Sequence, residues 1–213
     1  TKMKLILFVI LCISLPISSF CQAIQFKSKI NQDHFIFTSA DTIEIKELKF
    51  YIANLQFWRK GKLVQTDKKG AYLIDVLKDA TTIIPYKKSA DSLSFILGVD
   101  SLIQKKGAMG AGLDPSNGMY WTWQSGYIHF KLEAITNGAR NLQLHIGGYS
   151  APHNTIQAIG FPINRLKNNC IQFDLLAFLK HIDLSNTKKI MSPCAEAVLI
   201  SSYIAQSFSI CHD

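Results

Sequence analysis

The sequence predicts a mainly β protein, an antiparallel β-sandwich with one or two short helices near the C-terminus. The first observation is a series of short apolar segments that are separated by turn residues along the chain. The second is that many of these segments place apolar residues at every second position, the period of a strand with one buried face. The third is that helix-like patterns occur only in residues 175–206. Together these features favour a β-sandwich with helical additions.

The predicted strands follow one another with short turns between them. They cover residues 24–30, 35–38, 43–58, 63–65, 72–76, 81–84, 93–99, 127–135, 140–147, 157–163 and 171–175. In the longest segment the alternation slips once near Leu48, which predicts a bulge. The two predicted helices cover residues 175–182 and 193–206, with Ser192 as N-cap and Pro193 as first helical residue of the second.

The N-terminal residues 1–21 have the pattern of a signal peptide. Lys2 and Lys4 precede an apolar run too short to span a bilayer, and Ser19 suits cleavage after Cys21. Lipidation of Cys21 is the weaker alternative, because Phe20 is a poor residue before a lipidated cysteine. We therefore expect residues 22–213 to form one exported domain, periplasmic, at the cell surface or secreted, with no membrane span.

Removing residues 1–21 leaves 21 basic and 15 acidic residues, a net charge of +6. The lysines lie in pairs beside turn signals, for example Lys68-Lys69 and Lys105-Lys106, rather than in one cluster. Solvated loops explain this pattern better than a nucleic-acid surface, so no nucleic-acid partner is expected. Three cysteines remain, which allows one disulfide and one free thiol. The pairing stays open; Cys194 with Cys211 would staple the C-terminal segment, and Cys170 is the third candidate.

Residues 113–133 carry the most informative motif of the chain. The motif opens with two turn signals, Asp114-Pro115 and Asn117-Gly118. Four aromatic residues follow closely: Tyr120, Trp121, Trp123 and Tyr127. Such a cluster either closes the end of a sandwich or lines a binding site. The irregular segment 100–118 before it is long enough to be functional or mobile.

The hairpin of strands 127–135 and 140–147 predicts a histidine pair. A three-residue loop over residues 136–138 sets apolar residues opposite one another and places His129 directly opposite His145. Their Cβ atoms would then lie about 4.5–5.5 Å apart, a separation that suits two imidazoles on one copper or zinc ion. The alternative is that both histidines lie half-exposed on a solvated sheet face, stacked together or hydrogen-bonded to Glu133.

Four blocks of the chain, residues 50–54, 97–101, 113–133 and 145–149, resemble the MbnP-like family. These are secreted copper-binding proteins named for their association with methanobactin operons. The resemblance implies copper held by histidine, with His145 as the best-supported ligand. It also implies a tryptophan, Trp121 or Trp123, oxidised to kynurenine by a di-haem peroxidase-like partner.

The chain departs from the family pattern in three places. The first strand offers no histidine, where some members have one. The usual Glu-Gly after the long strand is Glu133-Ala134, and His129 is not a family position. Because the first strand offers no histidine, His129 and the loop residue His153 are the further candidates as a second copper ligand.

Two other functions are compatible with the sequence. The first is calcium binding by the loop oxygens of Asp100, Asp114 and Asn117, although turn formation is the commoner role of such residues. The second is a non-catalytic ligand-binding or adhesion sandwich, in which Tyr120, Trp121, Trp123 and Tyr127 form an exposed, coplanar stacking platform. The sequence has no catalytic Ser-His-Asp order, phosphate-binding loop or Cys-x-x-Cys pair, so we expect no enzyme activity.

Overall fold

The computed structural model describes residues 22–28, 35–38, 42–78, 81–86, 90–123, 126–137, 139–163, 169–185 and 188–211. In this part of the chain strands predominate, so the predicted mainly β class is confirmed. The predicted signal peptide lies outside the described residues. None of the helices within the described ranges is long and apolar enough to cross a membrane.

The elements follow the order expected from the turn signals. The strands are β1 (Gln22–Ser28), β2 (Phe35–Phe37), β3 (Thr42–Arg59), β4 (Lys62–Thr66), β5 (Ala71–Asp75), β6 (Thr81–Tyr86), β7 (Ser92–Leu97), β8 (Tyr120–Trp121), β9 (Gly126–Thr136), β10 (Arg140–Gly147), β11 (Gln157–Pro162), β12 (Cys170–Phe173), β13 (Lys188–Ile190) and β14 (Phe208–Ile210). The helices are α1 (Ser101–Gln104), α2 (Leu175–Leu179) and α3 (Ala195–Gln206). Two short 3₁₀ turns, Ala111–Leu113 and Pro115–Asn117, precede β8.

The strands form a small and a large sheet. The small sheet has the order β14-β12-β1-β6, and the large one β11-β7-β3-β9-β10-β13. Strands β2, β4 and β5 pair with parts of the long strand β3, and β8 pairs with β9. Two pairings are parallel, β1 with β12 and β10 with β13; the other pairings of the described strands are antiparallel. The predicted antiparallel character therefore holds for most of the fold.

The long strand β3 is buried on both faces, because successive residues of a strand point to opposite sides. Phe50 and Ile52 face the main core, which contains the aromatic rings of Phe130, Phe173 and Phe208. Tyr51 and its alternate neighbours face a smaller cluster, here called the second core. Its buried members are Tyr51, Ala53, Ala71, Val99, Leu113, Met119, Trp121, Tyr127 and Ile128. The face of the large sheet that carries the second core is called the outer face below.

The predicted strands and both predicted helices are present, and the bulge predicted near Leu48 occurs as a register shift between Ile45 and Glu47. Helix α3 begins two residues later than predicted. Cys194 is its N-cap, and the thiol sulfur accepts the amide hydrogen of Ala197 at 3.4 Å. Four short elements were not predicted: α1, β8, β13 and β14.

The disulfide joins Cys170 to Cys211, and Cys194 is free. The disulfide between Cys194 and Cys211 that the sequence allowed is therefore not formed. The reason is the antiparallel pairing of β12 with β14, which sets Ile171 opposite Ile210 and brings the flanking cysteines to a Cα separation of 5.4 Å. That distance lies in the usual range for a disulfide.

Candidate functional site

The β9–β10 hairpin determines where the predicted histidine pair lies. Thr136 pairs with Arg140, so the three-residue loop covers residues 137–139 and starts one residue later than predicted. The cross-strand pairs from Thr136–Arg140 to Phe130–Ile146 therefore shift by two residues, which keeps these side chains on their predicted faces but changes their partners. His145 lies opposite Lys131. The predicted direct opposition of His129 and His145 is wrong.

A bulge in β9 changes the surroundings of His129 further. Phe130 pairs with Ile146 and Ile128 with Gly147, so two steps on β9 match one step on β10 and His129 has no opposite residue. Ile128 consequently packs in the second core, although its predicted place was beside Phe130 in the main core. His129 lies on the same face of the sheet as Lys131 by strand alternation, and there it meets Gln104 and Thr155.

His129 belongs to a chain of hydrogen bonds with one consistent direction. The backbone N–H of Tyr127 donates to Oε1 of Gln104 at 2.9 Å, and Nε2 of Gln104 lies 2.7 Å from Nε2 of His129. Nδ1 of His129 lies 3.0 Å from Oγ1 of Thr155, whose hydroxyl donates to the Gly148 carbonyl. Since the Gln104 amide nitrogen only donates, Nε2 of His129 accepts and Nδ1 carries the hydrogen. Both ring nitrogens are thus used.

His129 is also deeply buried. Its side chain is 1% exposed, and burial lowers the pKa of His129 to about 3, so the ring is neutral at physiological pH. Gly98, with a φ of +117°, approaches so closely that a Cβ there would lie 2.8 Å from the imidazole ring. His129 therefore has the properties of a structural residue that holds the adjacent segments together.

His145 differs from His129 in its partner. It is also buried, and its Nε2 lies 2.8 Å from Oε1 of Glu133, which confirms for His145 the hydrogen bond considered from the sequence. A carboxylate only accepts, so Nε2–H donates and the lone pair of the neutral ring is on Nδ1. Burial lowers the pKa of His145, and the hydrogen bond to Glu133 opposes that shift only in part. The ring is therefore neutral, as a metal ligand must be.

Glu133 is the end of a row of alternating charges across the outer face, here called the charge ladder. Its salt-bridge distances are 3.4 Å from Glu133 to Lys131, 2.6 Å from Lys131 to Glu47, 2.6 Å from Glu47 to Lys49 and 3.6 Å from Lys49 to Asp75. Burial alone would raise the pKa of Glu47, but hydrogen bonds and attraction to the two ammonium groups outweigh it and lower that pKa. Glu47 is therefore ionised at neutral pH.

The charge ladder also anchors the turn before β8. Nζ of Lys49 donates to the Asn117 carbonyl at 3.1 Å, and Nζ of Lys131 donates to the Gly118 carbonyl at 3.5 Å. Gly118 ends the 3₁₀ turn with a φ of +72°, a conformation that glycine adopts without strain. The same ladder thus fixes the segment that leads into Trp121 and supports His145.

The loop residues considered for calcium are used in local structure. Asp100 accepts the amide hydrogen of Leu102 at the start of α1, and Asp114 accepts that of Ser116. The side-chain Nδ2 of Asn117 donates to the Ala111 carbonyl at 2.9 Å. These contacts are those of turn-forming residues.

Trp121 lies beside a cavity at one end of the outer face. The cavity has a volume of about 270 Å³. It is lined by Trp121, Gly126, Tyr127, Gly148, Tyr149, Ser150, Ala151, Pro152, His153 and Pro193. The benzo ring of Trp121 packs on Gly147, where a Cβ would lie 2.8 Å from Cζ3, so this position requires glycine. Gly147 follows His145 by two residues on the same strand face, about 6.6 Å along the strand.

Two ring nitrogens at this cavity lack partners. Nε1 of Trp121 and Nδ1 of His153 are buried and have no hydrogen-bond partner within the described residues. Trp121 is 5% exposed, so solvent does not replace the missing partner. An unsatisfied buried donor costs about 1–3 kcal/mol, and native proteins contain few of them.

The other aromatic residues of the motif surround Trp121 without forming a platform. Trp123 is 67% exposed, and its ring centroid lies 5.8 Å from that of Trp121 at an interplanar angle of 43°. Tyr127 is buried, with its hydroxyl bound to the backbone of Met109 and Leu113, and it meets Tyr120 edge-on. An exposed, coplanar stacking surface is therefore not formed by these four rings.

The structure thus brings Trp121, His145 and His153 to one end of the outer face and commits His129 to the hydrogen-bond chain. In the described part of the chain, no three His, Cys, Asp or Glu side chains are grouped so that they could hold one metal ion. Sequence reasoning named His153 as a loop candidate but did not predict the cavity that its loop lines. This loop, residues 148–155, is here called the cavity loop, and it is closed by the Thr155 N–H donating to the Gly148 carbonyl. The Gly147-Gly148 pair was the available signal, because adjacent glycines mark close backbone approaches.

Comparisons with known proteins identify the family and the fold. A sequence model of the MbnP family matches residues 20–192. The fold is similar to that of MbnP from Methylosinus trichosporium, with a TM-score of 0.59, 16% identity, and coverage of 84% of this chain and 86% of that chain. No protein with a curated description matches the sequence.

Proposed function

The chain belongs to the MbnP family, and from this membership we propose that it is an exported, non-catalytic protein that binds copper beside Trp121. The observation that carries the proposal is a pair of buried nitrogens at one cavity, Trp121 Nε1 and His153 Nδ1, which have no hydrogen-bond partner in the described part of the chain. Imidazole nitrogen suits copper, and His145 adds a neutral ring whose lone pair is on Nδ1. His145 does not line the cavity, but it lies two residues before Gly147, on which Trp121 packs, and we propose that His145 and His153 supply two imidazoles.

Trp121 is the residue that we propose to be oxidised to kynurenine. An intact indole is only a donor and cannot bind a metal through Nε1–H, whereas kynurenine carries an aryl amine and a ketone. Opening the indole ring turns the buried Nε1 of Trp121, which has no hydrogen-bond partner among the described residues, into the nitrogen of that aryl amine, which has a lone pair. Trp123 has no comparable position, because most of its ring is in solvent.

Trp123 supports the oxidation in another way. Its exposed ring lies 5.8 Å from Trp121, so a protein docked at this surface comes close to both indoles. We propose that a di-haem peroxidase-like partner withdraws electrons here, with two equivalents of peroxide as the oxidant and with the lost ring carbon leaving as formate after hydrolysis. The alternative function, an aromatic platform for carbohydrate or adhesion, needs coplanar exposed rings, and the observed tilt and burial do not favour it.

Mass spectrometry of protein from its native host tests the modification. Conversion of one tryptophan to kynurenine replaces one carbon by one oxygen, so it adds about four mass units to the peptide that holds both indoles. Fragmentation should place the change at Trp121. An intact peptide in copper-containing native protein would contradict the modification.

Copper titration against a chromophoric chelator tests the ligands. We expect His145→Ala and His153→Ala each to weaken binding by about tenfold or more. His181→Ala is the matched control, because His181 is exposed and stacks on Tyr203, which does not line the cavity. Equal copper affinity in all three variants would contradict the site.

A further inference from the structure

We propose that Glu133 is a positioning residue that holds the lone pair of His145 on Nδ1, so that copper binds this histidine through Nδ1. The proposal rests on the proposed copper function. It identifies the ligating atom and the residue that selects it.

The first step is the geometry of the pair. Nε2 of His145 and Oε1 of Glu133 are 2.8 Å apart, and the imidazole is 6% exposed. Water therefore competes poorly for this hydrogen bond, and the carboxylate keeps the hydrogen on Nε2. Histidines that bind metals commonly donate their other ring N–H to a carboxylate, which fixes both the tautomer and the ring orientation.

The second step is that the charge ladder holds Glu133 itself. Nζ of Lys131 lies 3.4 Å from the same Oε1, and Lys131 is held in turn by Glu47 at 2.6 Å. The carboxylate therefore has an ammonium group on one side and His145 on the other. Lys131 also donates to the Gly118 carbonyl, so the partner of His145 is tied to the segment that leads into Trp121.

The third step is the contrast between His145 on β10 and His129 on β9, which lie on the same face of the sheet. In His129 the hydrogen is on Nδ1 and the remaining nitrogen accepts from Gln104, so no lone pair is left. In His145 the carboxylate selects the opposite tautomer. Two buried, neutral histidines thus have opposite tautomers because their neighbours differ, and only that of His145 leaves its second nitrogen as a ligand.

The tautomer can be read directly from ¹⁵N NMR of the imidazole rings in the metal-free protein, because an unprotonated ring nitrogen resonates far from a protonated one. We expect His145 of the wild type to show a protonated Nε2 and an unprotonated Nδ1. In Glu133→Ala we expect a mixture of tautomers and copper affinity that is about 10–100-fold weaker. Glu133→Gln retains an acceptor oxygen and should keep most of the wild-type tautomer and affinity.

Glu47→Gln is the matched control, because Glu47 belongs to the ladder but is not hydrogen-bonded to His145. It should leave the His145 tautomer unchanged. Titration of the wild type with cuprous ion, which is diamagnetic, should move the Nδ1 resonance and leave Nε2 protonated. If Glu133→Ala does not fold, Glu133→Met replaces it, because methionine fills similar space without a strong acceptor, and it should show the same mixture of tautomers.

The outcomes separate this inference from the proposed function. A protonated Nδ1 in the wild type, an unchanged tautomer in Glu133→Ala, or loss of the Nε2 hydrogen on copper binding would overturn the inference. If the tautomer result holds but cuprous ion moves no His145 resonance, the copper site fails while the assignment of the tautomer stands. If His145→Ala loses copper and Glu133→Ala keeps both tautomer and affinity, the site stands and the positioning role fails.

Discussion

The outer face of the large sheet carries two buried polar regions that differ in one respect. Around His129 each ring nitrogen has a partner, and Gln104, Thr155 and Gly148 continue the chain of hydrogen bonds. Around the cavity, Nε1 of Trp121 and Nδ1 of His153 are buried and have no such partner among the described residues. Since an unsatisfied buried group is costly, the difference separates a region built for stability from one that retains binding capacity.

Hydrogen bonds of Thr155, in the cavity loop, join the two regions. Thr155 accepts from His129 and also closes the loop by donating to Gly148 through both its amide and its hydroxyl. Gly148 has a φ of +125°, and a Cβ there would lie 2.3 Å from the His153 carbonyl oxygen. The satisfied region thus determines the position of the loop that carries His153. Disrupting it should have a larger effect on stability than any change at the cavity.

The largest effect is expected for Gly98→Ala. The new Cβ would lie 2.8 Å from the buried imidazole of His129, and the φ of +117° is strained for alanine. Overpacking and backbone strain together should lower the free energy of unfolding by about 3–5 kcal/mol. The measurement is the urea midpoint at constant m-value.

Gly61→Ala is the control for Gly98→Ala. Gly61 also has a positive φ, +75°, but a Cβ there meets no atom within 4 Å. Only backbone strain of about 1 kcal/mol is expected. Equal destabilisation by the two substitutions would show that contact with His129 is not what requires glycine at position 98.

The next comparison is between His129→Ala and His153→Ala. Removing His129 leaves Gln104 and Thr155 without their buried partner and creates a cavity, so we expect a loss of about 3 kcal/mol. Removing His153 deletes its Nδ1, for which the described residues offer no partner, and should cost less than about 1 kcal/mol. Chemical denaturation of both variants in metal-free buffer measures the difference. A larger cost for His153→Ala would reverse the assignment of the two regions.

Periodicity predicted most strands because it depends only on neighbouring residues, as in β3, where Phe50 and Tyr51 separate two cores. The short elements β13 and β14 were missed because each is held by pairing with a distant strand. The hairpin loop had the predicted length but started one residue late, and that single residue separated His129 from His145.

The candidate site was predicted only in part for a related reason. The aromatic motif and His145 are contiguous with strand patterns, so the sequence alone pointed to them. The cavity depends on the cavity loop folding back onto Trp121, which no local pattern encodes. The contact of Glu133 with His145 followed from neighbouring strands and was recognised as an alternative, but the charge ladder that supports it spans β5, β3 and β9.

The burial of His129 as a neutral ring predicts how the free energy of unfolding depends on pH. The pKa of His129 is about 3 in the folded protein and about 6.5 when unfolded, so the unfolded chain binds more protons between these values. The contribution of His129 is therefore present above pH 6.5 and is lost as the pH falls towards 3, by up to about 1.4 kcal/mol per pH unit.

Because the pKa of His145 is also lowered and carboxylates such as Glu47 titrate in the acid range, wild type and His129→Gln must be compared. We expect the stability curve of the variant to be flatter between pH 6.5 and 4.5, measured by urea unfolding at each pH. Parallel curves would mean that His129 is not buried as a neutral ring.

The smallest effect concerns the indole nitrogens themselves. A benzothienylalanine side chain keeps the shape of tryptophan but has sulfur in place of the ring N–H. Introduced at Trp121, it removes a buried donor that has no partner among the residues the structure describes, so we expect stability to be unchanged or raised by up to about 1 kcal/mol. Trp58 is the matched control, because its Nε1–H donates to Oγ of Ser94 at 2.9 Å and its replacement should cost about 1 kcal/mol. Thermal unfolding of the two proteins gives opposite signs if Trp121 is unsatisfied. A loss at Trp121 equal to that at Trp58 would show that its N–H has a partner in the folded protein, and the distinction between the two regions of the outer face would not hold.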